Sequence, residues 1–291
     1  MTTVWYGLSD GAIYALVALG FDIILTASGI LNFAQGAVVM FASFIGYQTL
    51  SQMHLPIVVA ILICAVIGGV IGGLTEIIAI RPLSLGHRWH ATHTELITTV
   101  GAATILTGLA GLKWGYNPLS VPFPGSQTTI PLLGGRILPL GLALILIAIA
   151  TGVSLHFLTH RTRVGMACLA ASEDRQAAVL RGINVRRLAF GSFVAAGVLA
   201  GVVGVLTGPI TYSLPTLGDT LTLSGFVALA AGGFGSYLGS ILGGLLTGLV
   251  ASLAARSIGA NYQQMVVFAL LLCILLVRPG GLLSQKELRR A

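Results

Sequence analysis

LPLGLALILIAIATGVSLHFL (Leu138–Leu158) and LAFGSFVAAGVLAGVVGVLTG (Leu188–Gly208) are two apolar runs without an Asp, Glu, Lys or Arg. Between them lies RTRVGMACLAASEDRQAAVLRGINVRR (Arg161–Arg187). A helix crosses a bilayer core with about 20 mostly apolar residues, and each run has that length. The island between them holds six of the chain's fifteen basic residues: Arg161, Arg163, Arg175, Arg181, Arg186 and Arg187. Glu173 and Asp174 sit among them. Loops rich in Lys and Arg stay on the cytoplasmic side. The pattern is two spans joined by a long cytoplasmic loop, the kind of loop with which a membrane protein touches something inside the cell.

The same reading extends outward. The chain has 291 residues, 56% hydrophobic and 8% charged, against about 25% charged in a soluble domain. Its mean hydropathy is +0.97. Alternating polarity is absent, which argues against an outer-membrane barrel. Apolar segments fall at 4–25, 30–50, 57–80, 95–112, 138–158, 188–208, 222–254 and 262–277. The expected fold is an all-α polytopic membrane protein of about 8 transmembrane helices. It is one domain over 1–291 with a cytoplasmic loop at 161–187. The stretch 222–254 is too long for one straight span, and Gly232-Gly233-Phe234-Gly235-Ser236 breaks it. It crosses twice or re-enters from one side, with its freed backbone covered by protein or lining a water-filled cavity.

Charge sets the sidedness. Arg81 and Arg88, the island, and Arg278, Lys286, Arg289 and Arg290 are mutually consistent as cytoplasmic. Lys113, Arg136 and Arg256 are left outside, and counting back puts the N-terminus outside too. The net charge of +7 is explained by this bias and does not point to nucleic acid. The first segment lacks a basic leader region and reads as a retained span. Loop 113–137, with Pro118, Pro122, Pro124 and Pro131, reads as a stiff cap at the outer mouth. Cys64, Cys168 and Cys273 fit no metal or redox spacing. Gly68/Gly72, Gly69/Gly73, Gly197/Gly201, Gly204/Gly208, Gly239/Gly243 and Gly244/Gly248 have the small-xxx-small spacing. Such glycines let helix backbones approach closely, within one bundle or between subunits.

Ionisable groups inside a membrane are costly, which singles out Asp22, Glu76 and Glu95. All three lie near segment ends, where snorkelling or a cap suffices. Asn32 and Gln35 are i,i+3 neighbours that share a helix face, and Gly36 follows at once. Their amides line a polar path or bond between helices. Thr98 and Thr99 add hydroxyls to such a path or back-bond their own helix. His87, His90 and His93 recur every third residue, which makes a metal site with Glu95 or a solvated loop. The GxGxxxG run from Gly233 to Gly239 follows no strand and is not a nucleotide fingerprint. No Walker A, GxSxG or HExxH pattern is present. The chain is therefore expected to be no enzyme, to hydrolyse no ATP itself and to need no cofactor.

Six pieces in order carry a resemblance: YALVALGFDIILTASGILNFAQGAVVMFASFIGY (Tyr14–Tyr47), IRPL (Ile80–Leu83), LITTVG (Leu96–Gly101), RVGMACLAASEDRQAAVLRGINVRRL (Arg163–Leu188), AAGGFGSYLGSILGGLLTGL (Ala230–Leu249) and RPGGLL (Arg278–Leu283). Over nearly the whole chain they resemble the permease subunits of bacterial ABC importers for branched-chain amino acids, the Liv type. The resemblance implies a multi-pass inner-membrane permease moving branched-chain amino acids or a related small polar solute. It implies a second homologous permease subunit, two ATPase subunits, and a periplasmic binding protein that delivers substrate near loops 113–137 and 209–221.

The resemblance also gives the island a role. Many importers dock an ATPase through a short cytoplasmic helix with an EAA-x-x-x-G pattern. Here Gln176-Ala177-Ala178 is followed by Gly182 at that spacing, with Gln in place of Glu. The implied helix lies within 167–183, with Glu173 and Asp174 toward its N-terminal end, as the helix dipole favours. Arg181 falls in its last turn and Gly182 ends it as a C′ glycine. The alternative is an amphipathic helix on anionic lipid. The family's N-F-A-H-G-E/D segment is here Asn32-Phe33-Ala34-Gln35-Gly36-Ala37, without the His or the acid. If those groups shape the path, a different substrate or a compensating partner follows. The competing function is a secondary transporter or channel without an ATPase, which needs charged residues near mid-membrane.

Overall fold

A computed structural model describes residues 1–85, 94–122, 129–132, 135–278 and 280–283. In lipid every backbone N–H and C=O needs an internal partner, so the apolar runs fold as helices. They are α1 (Thr2–Ser28), α2 (Gln35–Tyr47), α3 (Ile57–Thr75), α4 (Arg81–Leu85), α5 (Thr94–Trp114), α6 (Pro139–Arg161), α7 (Arg163–Glu173), α8 (Arg175–Leu180), α9 (Val185–Thr211), α10 (Leu217–Gly232), α11 (Tyr237–Ser257) and α12 (Gln263–Val277). Part of the expected outer loop forms an antiparallel hairpin of β1 (Ile130–Leu132) and β2 (Gly135–Ile137), with Pro131 opposite Arg136. A π-helical turn, Gln48–Gln52, extends α2, and another, Glu76–Ile80, joins α3 to α4. Among the described residues seven helices are long and apolar enough to cross a membrane, and α10 is apolar but shorter, at 16 residues.

One expected segment takes a different form, and another breaks where expected. The segment 30–50 becomes helical only at Gln35. Before it, the Asn32 side chain accepts the Ala34 N–H at 3.1 Å, offering the backbone a turn in place of a helix. The stretch 222–254 breaks at the expected glycines, into the end of α10 and most of α11. Gly233 and Gly235 take φ of +108° and +78°, values that only glycine adopts readily. Ser236 then caps α11 by accepting the Gly239 N–H at 3.1 Å. The arms run antiparallel and touch through backbone: a Cβ on Gly232 would overlap Gly239, and one on Gly243 would overlap the Ala228 carbonyl.

The described residues group into two compact units. The first draws on 1–22, 127–160 and 224–291. Its α1 runs antiparallel to α11, with Gly7 against Ser252, Gly11 against Gly248 and Ala15 against Gly244. The second draws on 23–126 and 161–223. There α3 and α9 are antiparallel and interlocked, since a Cβ on Gly68 would overlap the Gly197 carbonyl and the reverse also holds. Gly72 meets Phe193, and Gly201 meets Cys64. These paired glycines thus pack helices inside one unit. Helix α2 packs beside α3 on α9, with Gly204 against Val39 and Ala42 and the Cys64 thiol of α3 near the Ala42 carbonyl. Phe44 of α2 stacks on Trp114 of α5 with ring centroids 5.1 Å apart.

Candidate functional site

The charged island folds as two short helices where one is expected. Asp174 separates them in an extended conformation and caps α8, its carboxylate accepting the N–H groups of Gln176 at 2.9 Å and Ala177 at 3.0 Å. At the other end the Gly182 N–H reaches the Val179 carbonyl and the Ile183 N–H reaches Ala178. That bond pair is a Schellman closure, and it needs the left-handed φ of +82° that Gly182 has. Arg181 is the C-cap residue, and Glu173 ends α7. Ala178 is buried with Ala171 and Val185, so one face of α8 rests on the loop and on the start of α9. The other face is open: Leu180 is 88% exposed and Val179 56%. Exposed apolar side chains on a doubly capped helix outside the membrane spans are a ready contact for another protein.

That open face borders a cavity of about 670 Å³, lined by Gln176, Val179 and Leu180 together with Ser28, Ile30, Glu76, Ile80, Arg175 and Arg186. Glu76 is buried at the π-turn and forms an ion pair with Arg81 at 3.4 Å. Arg175 feels two opposing influences, burial lowering its pKa and the Glu95 carboxylate raising it. Arginine starts so high that it stays charged. Arg175 and Glu95 thus tie the loop to the start of α5, while Glu76 is held at the end of α3 by Arg81.

The expected path residues gather around the turn between α1 and α2, and each residue with a polar side chain makes at least one hydrogen bond there. Asn32 stands ahead of α2, not on a face shared with Gln35. Gln35 Nε2 donates to the Ala196 carbonyl of α9 at 3.0 Å. Thr99 Oγ1 bonds back to Glu95 at 3.0 Å and accepts the Phe33 N–H at 3.3 Å. Thr98 only back-bonds Glu95. Gly36 lets Thr222 come close, since a Cβ there would overlap its hydroxyl. Of these groups Gln35 and Thr99 bond to other elements, whereas Asn32 and Thr98 bond within their own segments.

Asp22 lies in α1, wholly buried, and its carboxylate accepts from the Gly235 N–H at 2.9 Å and from the Ser240 hydroxyl. It clamps the turn between α10 and α11. The sequence marks Asp22 as ionisable but gives no hint of that partner, more than two hundred residues away. Among the described residues no group of three His, Cys, Asp or Glu side chains is placed to hold a metal ion. His87, His90 and His93 lie outside the described residues.

The sequence matches the family described as "Branched-chain amino acid transport system / permease component" over residues 3–275. The chain belongs to that family. Its relatives include the "High-affinity branched-chain amino acid transport system permease protein BraD" of Pseudomonas aeruginosa, 31% identical over 98% of this chain and 95% of that one. LivH of Escherichia coli K12, of the same description, is 28% identical over the same shares. The ribose import permease RbsC of Haemophilus influenzae is 23% identical over 78% of this chain and 67% of its own. The solved structure of PsaBC from Streptococcus pneumoniae in complex with Fab superposes with a TM-score of 0.51 at 12% identity, covering 96% of this chain and 93% of that one. It shares the fold. With seven long apolar helices, this permease is a multi-pass protein of the inner membrane.

Proposed function

We propose that this permease is half of the membrane pathway of an ATP-driven importer for branched-chain amino acids or a related small polar solute. A second homologous permease completes the pathway, a periplasmic binding protein delivers the solute, and two ATPase subunits sit on the cytoplasmic face. This chain contributes no catalytic group. It offers a site with two accessible states, and a ligand shifts such an equilibrium only by its differential affinity.

The observation that carries the reading is α8. It is short, capped at both ends, exposed on an apolar face and joined directly to a long membrane helix. Schellman closures end many helices, so the support for docking lies in the exposed Val179 and Leu180, an apolar surface that a partner protein would cover. Family membership supports the same assignment. ATP binding closes the ATPases, draws the docked helices together and turns the path outward; hydrolysis resets it.

The test is reconstitution of this chain with its neighbouring permease, ATPases and binding protein in proteoliposomes. Leucine uptake should require ATP inside and the liganded binding protein outside. Uptake that persists without the ATPases and follows an ion gradient would establish the secondary-transporter reading instead.

A further inference from the structure

Asp22 has a companion on the same helix that is treated quite differently. Asp10 lies eight residues after Thr2, about 12 Å along α1. It is partly buried, yet among the described residues it makes no hydrogen bond or ion pair. An acidic side chain at membrane depth without a partner is costly, and it persists where something charged visits it.

Its surroundings say what that visitor is. Tyr6, Asp10 and Tyr14 are spaced i, i+4 and i+8, so they form one stripe on α1. The stripe closes inward: Tyr6 is 43% exposed, Asp10 is intermediate and Tyr14 is 8% exposed. Ser224, of the same compact unit, stands beside the Tyr14 hydroxyl. Its Oγ is buried and makes no well-formed hydrogen bond. Beyond it the stripe is sealed, with Gly225 pressed onto Val17 and Phe21. A carboxylate flanked along the helix by two tyrosines, with the Tyr14 and Ser224 hydroxyls paired behind it, suits a compact cation. Aromatic faces and a carboxylate both attract an ammonium group. They offer nothing to an anion.

We propose that Asp10, flanked by Tyr6 and Tyr14, receives the ammonium group of the transported solute on its way through the membrane. The proposal rests on the import reading and narrows it: the solute carries an amine. Asp22 takes no part, because both its oxygens are already engaged.

The two claims are tested separately with the complete importer. The probes are leucine and its amine-free counterpart 4-methylpentanoate, each delivered at concentrations that bypass differences in binding-protein affinity. Wild type should take up leucine and exclude the amine-free acid. Asp10→Asn should reduce leucine uptake about 10-fold or more, the scale of one lost charge pair. Asp10→Glu should recover part of it, and both variants should co-purify with the partner subunits as wild type does. Equal leucine uptake by Asp10→Asn and wild type overturns the site and leaves the import reading intact. So does equal uptake of both probes by wild type. Loss of co-purification in Asp10→Asn overturns it in favour of a structural role. Wild type that shows no ATP-dependent uptake of any solute its binding protein accepts overturns the import reading and the site with it.

Discussion

Gly182 is where the docking reading is most exposed to test. Its φ is +82°, and a Cβ built on it meets nothing within 4 Å. Substitution to alanine therefore adds no clash and changes only the backbone energy. A residue with a β-carbon in the left-handed region costs roughly 1–2 kcal/mol. Helix α8 has six residues and little else to hold its C-terminal end. That cost falls directly on the population of the closed helix, about 5- to 30-fold. Asparagine tolerates the same conformation better than alanine.

The assay is a titration of the purified ATPase against the permease pair in nanodiscs. Gly182→Ala should weaken binding about 5- to 30-fold, with Gly182→Asn closer to wild type. Gly182→Arg adds a long charged side chain at the docking end and should abolish ATPase co-purification while membrane insertion continues. The ordering Gly, Asn, Ala, Arg is the signature of a C′ glycine. If alanine and asparagine weaken binding equally, or alanine leaves it unchanged, the Schellman closure is not what presents α8, and the reasoning fails.

Other consequences are simpler. Gly68→Ala should lower the melting temperature of the purified protein, because its Cβ overlaps a backbone carbonyl and overpacking costs about 1–3 kcal/mol. Gly101→Ala, with open space around it, is the control that should not. Asp22→Leu strands the Gly235 N–H and the Ser240 hydroxyl at about 1–3 kcal/mol for each buried unsatisfied group. It should therefore melt lower than Asp22→Asn, which keeps an acceptor; equal melting of the two would show that the turn is held by other contacts.

Much of the fold is legible because lipid leaves few options. Uninterrupted apolar runs such as 138–158 and 188–208 become α6 and α9 with only their ends adjusted. The Gly182 cap is legible too, since a single glycine after two alanines in a polar loop has one obvious use. Asp174 is harder. Placing it near a helix start follows from charge, but its role as the break between α7 and α8 depends on an extended backbone that composition does not reveal. The reading of Asn32 and Gln35 on one face fails because the Asn32 side chain competes with the helix and wins. Asp22 could be read only as an isolated acid, because its partners arrive from a distant helical hairpin. Asp10 is the instructive omission: the Tyr6, Asp10, Tyr14 spacing is plain in the sequence, but its acid differs from Asp22 only in having no partner, which folding alone decides.

The connection from α8 into α9 follows from the same details. Only Arg181–Asn184 separates the two helices, and both sides of that link are closed. The Ile183 N–H completes α8, while the Asn184 side chain accepts the Arg187 N–H and starts α9. Ala178 and Val185 share one apolar cluster across the link. Beyond it α9 has no slack, because its glycines interlock with α3 and its Ala196 carbonyl holds Gln35 of α2. Close-packed interiors transmit displacement, so on the proposed reading a pull on α8 moves α9 and carries α2 and α3 with it. Insertion of two glycines between Ile183 and Asn184 separates presentation from transmission. Helix α8 retains both its caps, so ATPase affinity should stay at the wild-type value while leucine uptake collapses. Uptake that survives the insertion would mean that force reaches the membrane helices by another route, and the short closed link would then be only a tidy way to end one helix and begin the next.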